Sequence, residues 1–222
     1  MSLFRLDASI RGEQSVSRSV ADTAEAAWVR THPGGAVTRR DLAASPVPTD
    51  AWSAAVTAGF LPPDARTPEQ VEAATLSATL VDELVAADAY LLAVPLYNWG
   101  VSQHVKSWID LILTDPRLAP GQEPVLAGRP AALVVTRGGG YGPGTPKEGW
   151  DHATPYYRRI FGDLLGLRLH VTEVELTLAE VTPAMAPLRD RARELLDAGH
   201  ASADKHGELL AQHVLGKLAA IR

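Results

Sequence analysis

The chain has 222 residues, of which 46% are hydrophobic and 21% charged, with a net charge of −5 and no cysteine. That length suits one well-buried core and is short for two ordinary domains, so a single domain over 1–222 is expected. The lack of cysteine excludes disulfides, thiolate metal sites and cysteine nucleophiles. The lack of a basic excess removes the electrostatic reason for a nucleic-acid or anionic-membrane partner.

The N-terminal Met1-Ser2-Leu3-Phe4-Arg5 runs into polar sequence with no apolar leader pattern. The longest apolar run, near Ala89–Leu96, is under half of the roughly 20 residues a membrane helix needs. The expected location is therefore cytoplasmic.

Leu3–Leu6 reads as a short strand, followed by a polar loop over Asp7–Val16. Val20, Ala24, Ala27 and Trp28 then recur on one helical face, and Pro33-Gly34-Gly35 stops the helix. Ala36–Leu42 alternates as an edge strand would. Ser45 to Arg66 contains four prolines and reads as an excursion with a short helix at Ala51–Thr57. Thr67-Pro68-Glu69-Gln70 carries a capping box with proline at the first helical position, predicting a helix to about Ala87. Ala89–Val94 is a continuous apolar strand, as expected where both faces are covered.

Val101, Val105, Trp108, Ile109 and Ile112 mark the next helical face. A Pro/Gly-rich connection, Asp115–Pro130, leads to a second buried strand, Ala131–Val135, and then to a glycine-rich loop, Arg137–Gly149. A helix near Asp151–Leu165, a strand near Leu167–Glu175 and a C-terminal helical region complete the chain, with a helical extension expected from about Ser202. Strands alternating with helices imply an α/β three-layer sandwich. Five parallel strands with right-handed crossovers fit the order 2-1-3-4-5. Ligands of such sheets sit beyond the carboxyl ends of the strands at the switch point, which singles out the loops after strands one, three and four.

The first of those loops offers Ser9, Arg11, Ser15, Val16 and Ser17 just before a helix. Hydroxyls and unpaired N–H groups at a helix N-terminus make a phosphate site; a plain N-cap at Ser15 or Ser17 is the simpler alternative. The second loop is Pro95-Leu96-Tyr97-Asn98-Trp99, two aromatics around an amide, suited to a flat heterocycle or to a local aromatic cover. The third is Thr136-Arg137-Gly138-Gly139-Gly140-Tyr141, whose glycines permit close backbone approach. Walker, GxGxxG and GxSxG patterns are all missing.

With Ser9, Ser15-Val16-Ser17, Pro95-Leu96-Tyr97-Asn98 and Thr136-Arg137-Gly138-Gly139 in this order, the chain resembles the FMN-dependent NADH-azoreductase family of flavodoxin-like NAD(P)H:quinone reductases. Asp41-Leu42-Ala43-Ala44 and Thr154-Pro155-Tyr156 add to the match, which covers roughly residues 1–200. The resemblance implies a flavodoxin-like fold with FMN as cofactor and NADH or NADPH as donor. A quinone or azo compound would be reduced by ping-pong hydride transfer through the flavin N5. Ser9, Arg11, Ser15, Val16 and Ser17 would hold the phosphate. Pro95, Leu96, Tyr97, Asn98 and Trp99 would line the ring, and Thr136, Arg137, Gly138 and Gly139 its pyrimidine side. Trp99, Tyr141 and Phe161 would shape the acceptor pocket, with Phe161 reaching the partner's site in a homodimer whose active sites lie at the interface. The flavin carries the chemistry, so no side chain is assigned as catalytic except Tyr141 as a candidate proton donor. Thr114–Arg129 is proline-rich where the family has an aromatic stretch, so a different cover over the flavin is expected.

The seven histidines show no HxH or HExxH spacing, and no metal site is expected. Two other functions fit the same fold: a flavin-binding electron carrier, and an accessory protein without turnover. Carriers usually carry a strongly acidic patch, which −5 over 222 residues does not suggest.

Overall fold

The computed structural model describes residues 1–118, 121 and 124–221, with side chains to residue 216. Its strands are β1 (Ser2–Asp7), β2 (Ala36–Asp41), β3 (Ala89–Tyr97), β4 (Gly100–Val101), β5 (Pro130–Thr136) and β6 (Arg168–Val174). Its α-helices are α1 (Val16–Thr31), α2 (Ala51–Ala58), α3 (Pro68–Val85), α4 (Gln103–Ile112), α5 (Thr154–Tyr157) and α6 (Arg189–Ile221). Five strands pair in parallel in the order β2-β1-β3-β5-β6, the flavodoxin-like order expected, and β4 is a two-residue antiparallel addition on β3.

Alternation along each central strand divides the core between two faces. Phe4, Leu6, Tyr90, Leu92, Val94, Leu133 and Val135 point to one side and meet α2, α3 and α4, with Phe4 stacked on Trp108 at 6.3 Å. Leu3, Leu91, Ala93, Ala132 and Val134 point to the other and meet α1 and α6. β3 and β5 are therefore apolar throughout, whereas β2, at the edge, buries no residue fully and exposes Thr38 and Arg39 in succession, so the alternation expected over Ala36–Leu42 is not kept. The capping box of α3 is made: Thr67 accepts from the Gln70 N–H while the Gln70 side chain accepts from the Thr67 N–H. Among the described residues no helix is long and apolar enough to cross a membrane.

Several boundaries differ from the sequence expectation. β3 runs past Val94 to Tyr97, because Pro95 pairs with Thr136 while the turn beyond folds back on the strand. Val101 belongs to β4 rather than to the helical face of α4. The helix begun by α5 widens at Arg158–Leu164 to π pairing, with the Leu165 N–H reaching back to the Ile160 carbonyl.

The segment from about Ser202, expected as an extension, is the second half of one continuous helix. Ala203, Leu210, Ala211 and Val214 bury against the sheet and α1. Gly207 lets the two helices touch: a Cβ there would lie 2.1 Å from the Ala24 carbonyl oxygen. Leu218 and Ile221, which continue the helical spacing of Leu210 and Val214 in the sequence, lie outside the described side chains.

α6 also places His206 beside β6, with Nδ1 3.0 Å from Thr172 Oγ1 and its ring 5.3 Å from that of His170. Burial first, then the His170 and Lys205 charges, push the His206 imidazolium down to about 4. The folded value lies below the unfolded one, so the unfolded chain takes up the proton first as pH falls. The stabilisation is complete above about pH 6.5 and is lost as pH drops towards 4. After discounting for partial exposure, about 2 kcal/mol should be lost by pH 4.5. Thermal melts of the parent and His206→Gln between pH 7 and 4.5 check this. The variant should show the shallower decline, and parallel curves would rule out His206 as the source.

Candidate active site

The loops after β1, β3 and β5 come together at the carboxyl ends of the strands. After β1, Ser9, Ser15 and Ser17 are all buried. Ser15 caps α1, accepting from the Arg18 N–H at 3.2 Å, so the simple cap reading holds for that residue. Its hydroxyl also meets that of Ser17 at 3.0 Å. Ser9 Oγ accepts from the Arg11 N–H and lies 3.3 Å from the Tyr97 hydroxyl, which also accepts from the Ile10 N–H. The N–H groups of Val16 and Ser17 have no acceptor among the described residues, and the Arg11 guanidinium has no carboxylate partner there.

A helix N-terminus with free donors and a free cation attracts an anion. The cavity beside it, about 90 Å³, is walled by Ser9, Arg11, Ser15 and Val16 on one side and by Pro95, Thr136, Gly138 and Thr177 on the other. Asp41, at the end of β2, braces this loop through Arg18 at 2.6 Å while accepting from the Ala43 and Ala44 N–H groups.

After β3 the chain makes a two-residue hairpin, not an open loop. Leu96 pairs with Val101 and Tyr97 with Gly100, leaving Asn98 (φ 47) and Trp99 (φ 63) as the turn. Both are left-handed, as such tight turns require. Asparagine tolerates that conformation, but a bulky aromatic is strained there by about 1–3 kcal/mol. The turn is held by the His152 N–H donating to the Trp99 carbonyl at 2.9 Å and by an edge contact between Trp99 and Trp150 at 5.8 Å. The structure thus fixes an exposed indole at the mouth of a cleft.

Replacing Trp99 by glycine should remove the strain, leaving the melting temperature equal to or above the parent's. The same change should weaken binding of a flat heterocycle in the cleft by about tenfold, read by fluorescence titration. A variant that binds as tightly as the parent would mean that the strained indole has no part in the site.

After β5, Arg137 departs from expectation. It does not face the cavity but is buried among carboxylates, bonding Asp151 at 2.6 Å, Glu173 at 2.9 Å and Glu175 at 3.1 Å. It also donates to Thr154 Oγ1. Glu175 in turn accepts from the Tyr141 N–H, so Arg137 positions the glycine loop from behind. A Cβ on Gly138 would lie 2.6 Å from Leu178 Cδ1, so a larger residue there would push the exposed Leu178 side chain aside. The Gly138 and Gly139 N–H groups have no acceptor among the described residues, while their carbonyls accept from Leu178 and Leu176.

Phe161 is likewise corrected. It is core, stacked on Tyr157 at 5.9 Å and against Trp108, because the helical face that carries it turns towards the sheet. Described parts of the Thr114–Arg129 segment also lie away from the site. Arg117 bonds Asp115, Asp82 and the Ala78 carbonyl on α3, and Arg129 bonds the Val85 and Ala87 carbonyls at the amino end of β3.

The cleft at this end of the sheet, about 600 Å³, brings together Leu96, Tyr97, Asn98, Trp99, Gly138, Gly139 and Tyr141 from the second and third loops. It also takes Ile10, Gln103, His104, Lys147 and Leu178, which sequence reasoning missed. Gln103 and His104 open α4 directly after the hairpin, so recognising the turn would have placed them. Leu178 follows the last strand, and only the sheet order brings it across. Burial first, then the Asp151 charge, keeps the Tyr141 phenol above its ordinary range against the opposing pull of Arg137, so it stays protonated and able to donate. The anion cavity and the cleft share Leu96, Tyr97, Gly138 and Leu178 as common walls.

The flavodoxin-like fold family matches residues 1–197. A Parafrankia FMN-dependent NADH:quinone oxidoreductase is 42% identical over 85% of this chain and 90% of its own length. One from Streptomyces avermitilis is 36% identical over 98% and 99%. The chain belongs to this flavodoxin-like family of FMN-dependent NADH:quinone oxidoreductases. The family's fold is seen also in an azoreductase from Bacillus anthracis, with TM-score 0.76 at 21% identity over 94% of this chain and 99% of that one. An FMN-dependent NADH-azoreductase from the same species, solved in complex with FMN, has TM-score 0.73 at 15% identity over 95% and 98%.

Proposed function

We propose that this chain binds FMN across the joined cavities and uses it to pass two electrons from NADH or NADPH to a quinone or azo acceptor. The observation that carries the reading is the shared wall of Leu96, Tyr97, Gly138 and Leu178, which makes one ligand site out of an anion cradle and an aromatic cleft. The N–H groups of Val16 and Ser17, the serine hydroxyls and Arg11 would hold the phosphate. Tyr97, Asn98 and Trp99 would face the ring, and the free N–H groups of Gly138 and Gly139 would meet its pyrimidine edge. Bound FMN would supply reversible hydride transfer between a nicotinamide and an acceptor that would enter the same cleft in turn, a ping-pong order.

The protein's part is to orient, to exclude water and to hold charge. Tyr141, kept protonated, stands ready to donate a hydrogen bond or proton in the cleft. Trp99 and Trp150 are each about half exposed at its mouth (43% and 50%). Aromatics so placed suit coverage by a second copy, which supports a homodimer with its sites at the interface.

Purified protein should take up added FMN, turn yellow and oxidise NADH or NADPH only when a quinone is present. A colourless chain that takes up no FMN overturns the reading. Flavin uptake without turnover would favour the electron-carrier alternative. Sedimentation equilibrium checks the dimer independently.

A further inference from the structure

Among the described residues the cleft is lined by a single formal charge and no carboxylate, although the chain as a whole carries a net −5. That charge is Lys147. Its ammonium makes no ion pair among the described residues and sits over the Tyr141 ring, 5.6 Å from the centroid. It also lies 3.6 Å from the place a Cβ on Gly139 would occupy. The adjacent acid, Glu148, is turned away and accepts from the Gly144 N–H at 2.7 Å. A half-buried cation held by an aromatic face and left without a counter-ion is poised for negative charge that arrives with a ligand.

We propose that Lys147 is the electrostatic residue that stabilises reduced FMN, acting from the pyrimidine side of the ring. The assignment rests on the FMN reading above, because Gly139 is the group that marks that side. A hydride brings two electrons and one proton. With no second proton, the ring system gains one negative charge, and a fixed cation nearby favours that form over the oxidised one. Tyr141, which lies beneath the Lys147 ammonium and lines the same cleft, shares the arrangement as a neutral donor.

The test uses the FMN-loaded full chain and its Lys147→Met, Lys147→Gln and Lys147→Arg variants. The two-electron potential is measured by spectral equilibration with a reference dye, beside the dissociation constant for oxidised FMN. Met and Gln should lower the preference for reduced over oxidised FMN at least tenfold, about 30 mV downward for a two-electron couple. Binding of oxidised FMN should change less than threefold, and Arg should restore the parent potential. Met and Gln potentials equal to the parent's, in variants that still bind FMN, overturn the proposal. So does an Arg variant as low as Met. A parent chain that binds no FMN overturns the functional reading instead, so the two failures are distinguishable.

Discussion

Arg137→Met is expected to lower the melting temperature by about 10 °C while leaving the chain folded at room temperature. The guanidinium is the common partner of Asp151, Glu173 and Glu175, and removing it leaves three carboxylates facing one another with little water. Breaking a fully buried ion pair costs about 3–5 kcal/mol; Glu173 is about a third exposed, so the lower end applies. In a chain of this size each kcal/mol moves the midpoint by about 2–4 °C.

The loss has a pH signature. Burial alone would raise the Asp151 carboxyl, but the Thr154 hydroxyl and N–H, the Arg137 charge and the Ala153 N–H together hold it below the ordinary range. A depressed carboxyl contributes stability above its unfolded value, near 4, and loses it as pH falls through the folded one. The gap between parent and variant should therefore hold from neutral pH down to about pH 4 and narrow below it. Melts at neutral pH and at about pH 3 decide this, and a neutral-pH shift below about 2 °C would show that the network contributes little to stability.

The second large effect concerns the phosphate end of the site. Arg11→Met combined with Ser17→Ala should weaken FMN binding by about 100- to 1000-fold, because each hydrogen bond to a charged group contributes about 1.5–3 kcal/mol. Riboflavin, which has the ring but no phosphate, should bind parent and variant within about threefold of each other. Fluorescence titration with both ligands separates these outcomes. Equal losses for FMN and riboflavin would mean that the substitutions disturbed the cleft, and no loss for either would place the phosphate elsewhere. Ser15 is left intact because its cap on α1 contributes to helix stability in its own right.

How much of this was legible in the sequence depends on how local each signal is. The capping box at Thr67 and the apolar runs of β3 and β5 are written in neighbouring residues, so the α/β order and the sheet topology could be read directly. The serine loop and the Pro95–Trp99 segment could be read too, because composition and position in the strand order pointed to the same end of the sheet. Direction of a side chain was another matter. Arg137 and Phe161 stand within motifs that suggested ligand contact, yet one is drawn into a carboxylate cluster and the other into the core. Their partners, Glu173, Glu175 and Trp108, come from other elements.

By itself, then, the sequence determined the fold, the switch point and the residue types gathered there: serine hydroxyls at a helix N-terminus and aromatics after β3. Periodicity and helix-terminus chemistry act over a few residues and need no distant partner. Only the tertiary structure decided that Asn98 and Trp99 form a strained hairpin turn, that Leu178 closes the wall beside Gly138, and that Lys147 stands in the cleft without a counter-ion. The Leu178 wall depends on β5 and β6 becoming neighbours, a non-local outcome, while the turn and the Lys147–Tyr141 contact are set by the shapes of single loops, which periodicity does not carry.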